Sequence, residues 1–149
     1  MKLEDELKQK TFTDPFLKAS LNILVTADRI SAATSALLKP FGISNEQYNV
    51  LRILRGQHPN VSPLRLITER MISKSSNATR LVEKLRHKGL VDRTICESNR
   101  RQVEIVITDS GLRLLDELDP LVKTTTAEMN RITKSESQEL NRILDKVRG

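Results

Sequence analysis

The sequence predicts a mainly helical protein carrying one small β-hairpin, and three observations predict it. Apolar residues recur at i, i+3, i+4 and i+7 through six segments, the spacing of helices with one buried face. Only between Leu90 and Ile107 does the period change to the alternation of a half-buried strand. Helix-starting and helix-ending residues punctuate the chain at the boundaries these periods suggest. Aromatic residues are 3% of the 149 and tryptophan is absent, so aliphatic packing between helices must hold the fold.

The first helix opens at Asp14-Pro15, an N-cap followed by proline at the first helical position. It runs to about Leu38 and stops at Lys39-Pro40-Phe41-Gly42, with Leu17, Leu21, Leu24, Val25 and Ile30 at helical spacing. Such a helix is long for a small domain and is expected to reach beyond its own head. Ser44 to Gln47 reads as a capping box opening a second helix that carries Tyr48, Val50, Leu51, Ile53 and Leu54 and ends near Gly56. Ser62-Pro63 is read as the start of a third, short helix holding Leu64, Leu66, Ile67 and Met71. After a tight connection at Ile72-Ser73, a fourth helix is predicted from about Lys74 to Lys88, ended by Gly89 in a left-handed position.

Leu90–Ile95 then reads as a strand, Cys96–Arg101 as a turn, and Val103, Ile105 and Ile107 as the inward side of a second strand. Thr108 caps a long helix through Leu112, Leu115, Leu118 and Leu121. A second capping box, Thr133 to Glu136, opens a last helix with Leu140, Ile143, Leu144 and Val147 on one face. The predicted order is four helices, two strands, two helices.

Charge narrows the function classes. The formal net charge is +6 and the sequence pI about 9.7, which favours an anionic partner, although a basic solvated surface would give the same total. Between Ser62 and Thr108 stand ten basic residues against five acidic ones, so less than a third of the chain carries nearly all of the excess. A single cysteine, Cys96, excludes an internal disulfide and a cysteine-pair metal site. His58 and His87 lie in different elements without ligand types at metal spacing, and no cofactor is expected. The charged start and the lack of any run near 18 apolar residues point to a soluble cytoplasmic protein with no membrane partner. No nucleophile–base pair or phosphate-cradling glycine loop stands out, so an enzyme is not expected.

In the fourth helix Ala78, Leu81, Val82 and Leu85 face inward. The remaining positions, Ser75, Ser76, Asn77, Thr79, Arg80, Glu83 and Lys84, are short or polar and crowd toward its start. Small hydroxyl and amide groups let a backbone approach base edges in the major groove, while Asn and Arg bond adenine and guanine in pairs. An ordinary solvated face would look similar for such a helix alone. The hairpin separates the two readings, because its tip carries Arg100 and Arg101 and arginine is favoured in a narrow minor groove. A short helix, tight turn, polar helix and basic β-hairpin in this order make a winged helix-turn-helix.

The stretch from Ser75 to Val91, with Asp92-Arg93, the tip Asn99-Arg100-Arg101 and the close Val106 to Gly111, resembles the recognition helix and wing of the MarR (multiple antibiotic resistance regulator) family. The resemblance implies a homodimer on pseudo-palindromic double-stranded DNA, usually a repressor. It implies a DNA-binding domain over 44–110 and a helical dimerisation region from 1–43 and 111–149, with two recognition helices about 34 Å apart. Arg101 matches the arginine that the family places in the minor groove, and Asn99 stands where the family commonly has an aspartate that steadies it. Many members bind a small anionic or phenolic effector between dimer helices and head; Phe12, Phe16, Phe41 and Tyr48 fit such a cleft or the core equally, and no effector is named. A peroxide-sensing branch keeps its cysteine in the first helix, where this chain has none, so Cys96 is read as inert.

The expectation is a sequence-specific transcriptional regulator. Ser75, Ser76, Asn77, Thr79 and Arg80 would read the major groove, Lys74, Lys84 and Arg93 would contact phosphate, and Arg100 and Arg101 would serve the minor groove and backbone. The alternative is a winged-helix module that binds a protein and shows only sequence-indifferent, salt-sensitive affinity for DNA.

Overall fold

A computed structural model describes residues 1–125 and 131–149. The helices are α1 (Leu3–Glu6), α2 (Pro15–Leu38), α3 (Asn45–Gln57), α4 (Leu64–Arg70), α5 (Ala78–His87), α6 (Asp109–Thr125) and α7 (Lys134–Arg148). A 3-10 turn at Lys39–Phe41 follows α2, and three short strands are β1 (Ser62–Pro63), β2 (Val91–Ile95) and β3 (Val103–Ile107). The predicted caps are in place. Asp14 accepts from the Phe16 N–H, and the boxes Ser44/Gln47 and Thr133/Glu136 are both closed by reciprocal bonds.

Three features differ from the sequence reading. The chain begins with one extra turn, α1, whose Leu3 is buried and whose Glu4 and Glu6 pair with Lys18 and Arg29 of α2. Ser62-Pro63 is a strand, not a helix start, because Ser62 pairs with Ile105 and Pro63 with Glu104 on the open edge of β3. Proline is tolerated at such an edge because the ladder is only two residues long. The sheet is therefore three antiparallel strands in the order β1-β3-β2, with Val91 opposite Ile107 and Ile95 opposite Val103. Finally, α5 begins at Ala78 rather than near Lys74, because Asn77 takes the N-cap role.

One apolar core unites these elements. Leu51 and Leu54 of α3, Ile67 of α4, Val82 and Leu85 of α5, Val91 and Ile105 of the sheet, and Leu115 and Leu118 of α6 are all essentially without exposure. Leu38 at the end of α2 joins them, so both long flanking helices are anchored in the same core as the polar helix and hairpin. Arg55 of α3 adds a two-pronged ion pair to Asp119 of α6, at 2.8 and 3.1 Å. The next residue, Pro120, lies inside α6, where it removes one backbone donor.

The end of α5, the start of β2 and the start of α6 converge at Gly89-Leu90. Gly89 takes a left-handed φ of 70°, its N–H bonds to the Arg86 carbonyl, and the Leu90 N–H reaches the Leu85 carbonyl, which is a Schellman motif. Thr108 donates its hydroxyl to the Gly89 carbonyl at 2.7 Å and its N–H to the Leu90 carbonyl, while accepting from the Gly111 N–H. Gly111 permits this closeness: a Cβ there would stand 2.4 Å from the Leu90 carbonyl oxygen and 2.6 Å from Ile107. Polar helix, hairpin and flanking helix, in this arrangement, form a winged helix-turn-helix.

Two outcomes follow. Gly111→Ala should destabilise the protein by about 3 kcal/mol, the upper range for forcing a methyl into a packed contact, read as a lower midpoint in urea. Hydrogen bonding from Arg55, then its charge, holds the Asp119 carboxyl below the usual carboxylate range. A depressed folded-state value adds stability above the unfolded value near 4 and loses it as pH falls through the folded one. Asp119→Asn should therefore cost about 0.5–1 kcal/mol at pH 7, the scale of a partly exposed pair, and that difference should shrink in unfolding curves taken at successively lower pH, as the carboxylate protonates in the folded state too.

Candidate nucleic-acid interface

Helix α5 buries Ala78, Val82 and Leu85, packs Leu81 half-buried against the same core, and turns its polar and charged residues outward. At 100° per residue, Asn77, Arg80, Lys84 and His87 share the face opposite that core, and Thr79, Glu83 and Arg86 share its flank. Its first turn is held by the Asn77 side-chain oxygen, which accepts from the Arg80 N–H at 3.1 Å. The amide of Asn77 still points its two donors outward, but its oxygen is committed to the helix start. Among the described residues Thr79, Arg80 and Lys84 are exposed with no side-chain partner.

The sequence-predicted residues ahead of α5 occupy the turn between α4 and α5. Lys74 is exposed and reaches the Glu69 carbonyl, Ser75 shares a 3.3 Å hydroxyl contact with Ser73, and Ser76 bonds through its N–H to the Ser73 carbonyl. The turn is fixed from beneath by Asn49 of α3, whose side chain accepts from the Ile72 N–H at 2.9 Å. Lys74, Ser75 and Ser76 thus stand before the helix rather than on it, presented by a braced turn.

On the wing, Arg100 and Arg101 lie at the exposed tip between β2 and β3. Asn99 accepts from the Arg101 N–H at 3.2 Å, so it shapes the backbone that carries the arginine and leaves the guanidinium unclamped. Cys96 contacts the Ser98 hydroxyl at 3.0 Å just below the tip. Arg93, expected as a phosphate contact, pairs within the protein: it donates to Glu83 of α5 at 2.6 Å, while Arg86 donates to the other oxygen at 3.3 Å. The Arg86 hydrogen bond, with the charges of Arg86 and Arg93, holds the Glu83 carboxyl below its usual range, so the bridge stays ionised near neutrality. It ties the first wing strand to the polar helix. Glu83 could be seen in the sequence as an acid among bases, but only the fold brings β2 alongside it.

The four aromatic candidates disperse. Tyr48 is core, Phe12 lies under Lys18, Phe41 is half-buried and Phe16 is 83% exposed. Of the exposed apolar side chains, Phe16, Ile23 and Ile30 are spaced by sevens along α2 beside Leu17 and Leu24, and Leu140, Ile143 and Val147 lie on α7, while Ile72 in the turn before α5 and Ile95 on the wing are exposed singly. Among the described residues no helix is long and apolar enough to cross a membrane.

A braced turn, a one-faced helix and a basic hairpin tied to it define a winged helix-turn-helix regulator. Comparison with known proteins agrees. The sequence model of the MarR family matches residues 43–103. A MarR transcription factor from Planctomyces limnophilus is 34% identical, covering 91% of this chain and 98% of that one, with a TM-score of 0.71. The S. aureus MepR–DNA complex is 19% identical over 92% and 97% of the two chains, TM-score 0.78. CouR from Rhodococcus jostii RHA1, bound to p-coumaroyl-CoA, is 23% identical over 87% and 90%, TM-score 0.74. The chain belongs to the MarR family of transcription regulators.

Proposed function

We propose that the chain is a homodimeric repressor that recognises a pseudo-palindromic operator in double-stranded DNA and is relieved by a small-molecule effector. The observation that carries it is the outward face of α5, where Arg80 and Lys84 stand unpaired beside small polar groups, tied through Glu83–Arg93 to a wing tipped by Arg100 and Arg101. In this reading Ser75, Ser76, Asn77, Thr79 and Arg80 face base edges in the major groove. Lys74 and Lys84 contact phosphate, Arg93 reaches it only while also holding Glu83, and Arg100 and Arg101 serve the minor groove and backbone. The DNA partner places its work in the cytoplasm.

The DNA-binding head comprises residues 44–110, and the dimerisation region comprises 1–43 and 111–149, of which 126–130 lie outside the described residues. The apolar stripe of α2 and the α7 face support this division. Leu24 is 65% and Val147 68% exposed in the single subunit, an arrangement that a second copy would cover. Repression follows physically from a dimer clasping promoter DNA that polymerase needs. That a small molecule relieves it is supported by the fold shared with CouR, which was found with p-coumaroyl-CoA.

Fluorescence anisotropy with the protein's own upstream region against a scrambled duplex tests the reading, with tighter binding to the former expected. Arg101→Ala should cost about 1–3 kcal/mol of operator affinity if the guanidinium enters the groove, and unchanged affinity at matched salt would remove that role. Ile23→Asp with Ile143→Asp should convert the dimer to a monomer in light scattering and abolish operator binding, whereas a wild-type monomer would refute the dimer.

A further inference from the structure

We infer that Lys39, Lys84, His87 and Lys88 form a backbone-phosphate site for DNA, where the last turn of α5 meets the end of α2. The inference rests on α5 being the helix that enters the groove, and it adds Lys39, His87 and Lys88 to the interface.

These side chains line one open cleft of about 660 Å³, closed on its other side by Gly42, Ser44 and Gln47. Three lysines and a histidine converge there and no acidic side chain lines it. The nearest acid of α5, Glu83, is turned to the wing and spent on Arg86 and Arg93. Lys88 donates to the Gly42 carbonyl, which fixes its ammonium across the cleft floor and leaves two of its three donors available. Lys39 and Lys84 have no partner among the described residues.

Length identifies the occupant. Helix α5 has ten residues, so it runs roughly 15 Å, whereas the major groove is about 12 Å wide. A helix that enters the groove by its first turns, at an angle to the groove, carries its last turn to the sugar-phosphate strand that forms the groove wall. His87 lies on the same outward face as Arg80 and Lys84. The cleft is also open along one side, a shape suited to a strand passing through, whereas a small ligand is normally enclosed over most of its surface.

The test uses the full-length protein and measures affinity for the upstream duplex and a scrambled duplex between 50 and 200 mM salt. Lys39→Ala should weaken both duplexes about equally, by roughly five- to tenfold at 0.1 M salt, and lower the slope of log affinity against log salt by about 0.9, the value of one lost phosphate contact. Lys39→Arg should restore both, adding Lys84→Ala should double the drop in slope, and Lys146→Ala on α7 should change nothing. Thermal melts establish that each variant is folded. An unaltered slope in Lys39→Ala overturns the site, as does a loss confined to the upstream duplex. So does protection of the wild type, but not of Lys39→Ala, against thermal unfolding by inorganic phosphate with the DNA slope intact, since the cleft would then hold a small anion. If the wild type itself shows no preference between duplexes and Arg101→Ala has no effect, the regulator reading fails instead.

Discussion

The joint at Gly89-Leu90 is the constraint on which the rest of the molecule depends. Three elements with separate tasks are fastened there within a few ångströms: α5 ends in a left-handed glycine, β2 departs, and α6 is capped by a threonine that bonds back to the same two residues. No side chain could replace the hydrogen of Gly111 without driving backbone or Ile107 apart. Because the bonds are to backbone carbonyls, the joint sets angles as well as distances. The polar helix, the wing and the helix leading to the proposed dimer region are therefore held in one fixed arrangement at this joint.

That rigidity bears on how charge is used. A surface ion pair adds little stability, about 0–1 kcal/mol, so Arg93–Glu83–Arg86 is poorly explained as a stabilising device. Its consequence is geometric: it joins β2 to the flank of α5 on the side away from the outward cations. Glu83 also removes two arginines from the free positive field and leaves Arg80 and Lys84 without competitors on their own face. Under the proposed DNA-binding reading, this would temper nonspecific attraction while leaving the groups able to meet defined atoms unpaired.

Most of this architecture was legible in the sequence because its signals are local. A proline after an aspartate, two capping boxes and a glycine at a helix end each act within four residues, and each sits where the periods of apolar residues predicted. Most of what differs depends on partners distant in the chain, with the start of α5 as the local exception. Ser62-Pro63 looks like a helix start, and only the free edge of β3, more than forty residues on, makes it a strand. Lys74, Ser75 and Ser76 have no property that forbids a helix, so the sequence favours an earlier start for α5; the Asn77 cap sets it at Ala78. The site shows the same division. Residue types at the wing tip and on α5 were readable, but the engagement of Arg93 by Glu83 and the arrival of Lys39 beside Lys84 and His87 are products of packing.

The exposed stripe on α2 completes the physical picture. A single subunit leaves Phe16, Ile23 and Ile30 in water at intervals of seven residues, the repeat by which helices seat against one another. Yet the same helix is anchored at its far end by Leu38, which lies wholly inside the core of the head. A partner laid along the stripe would fix the direction of α2, and α2 through Leu38 would fix the head. Arg55–Asp119 supplies a second connection of the same kind, from α3 to α6 one residue before Pro120 inside that helix. With two attachments per head, the separation of two polar helices becomes a property of the helix ends rather than of the DNA-facing residues. If the proposed function holds, a ligand able to alter either attachment would change operator affinity without touching a side chain of the proposed groove-facing set.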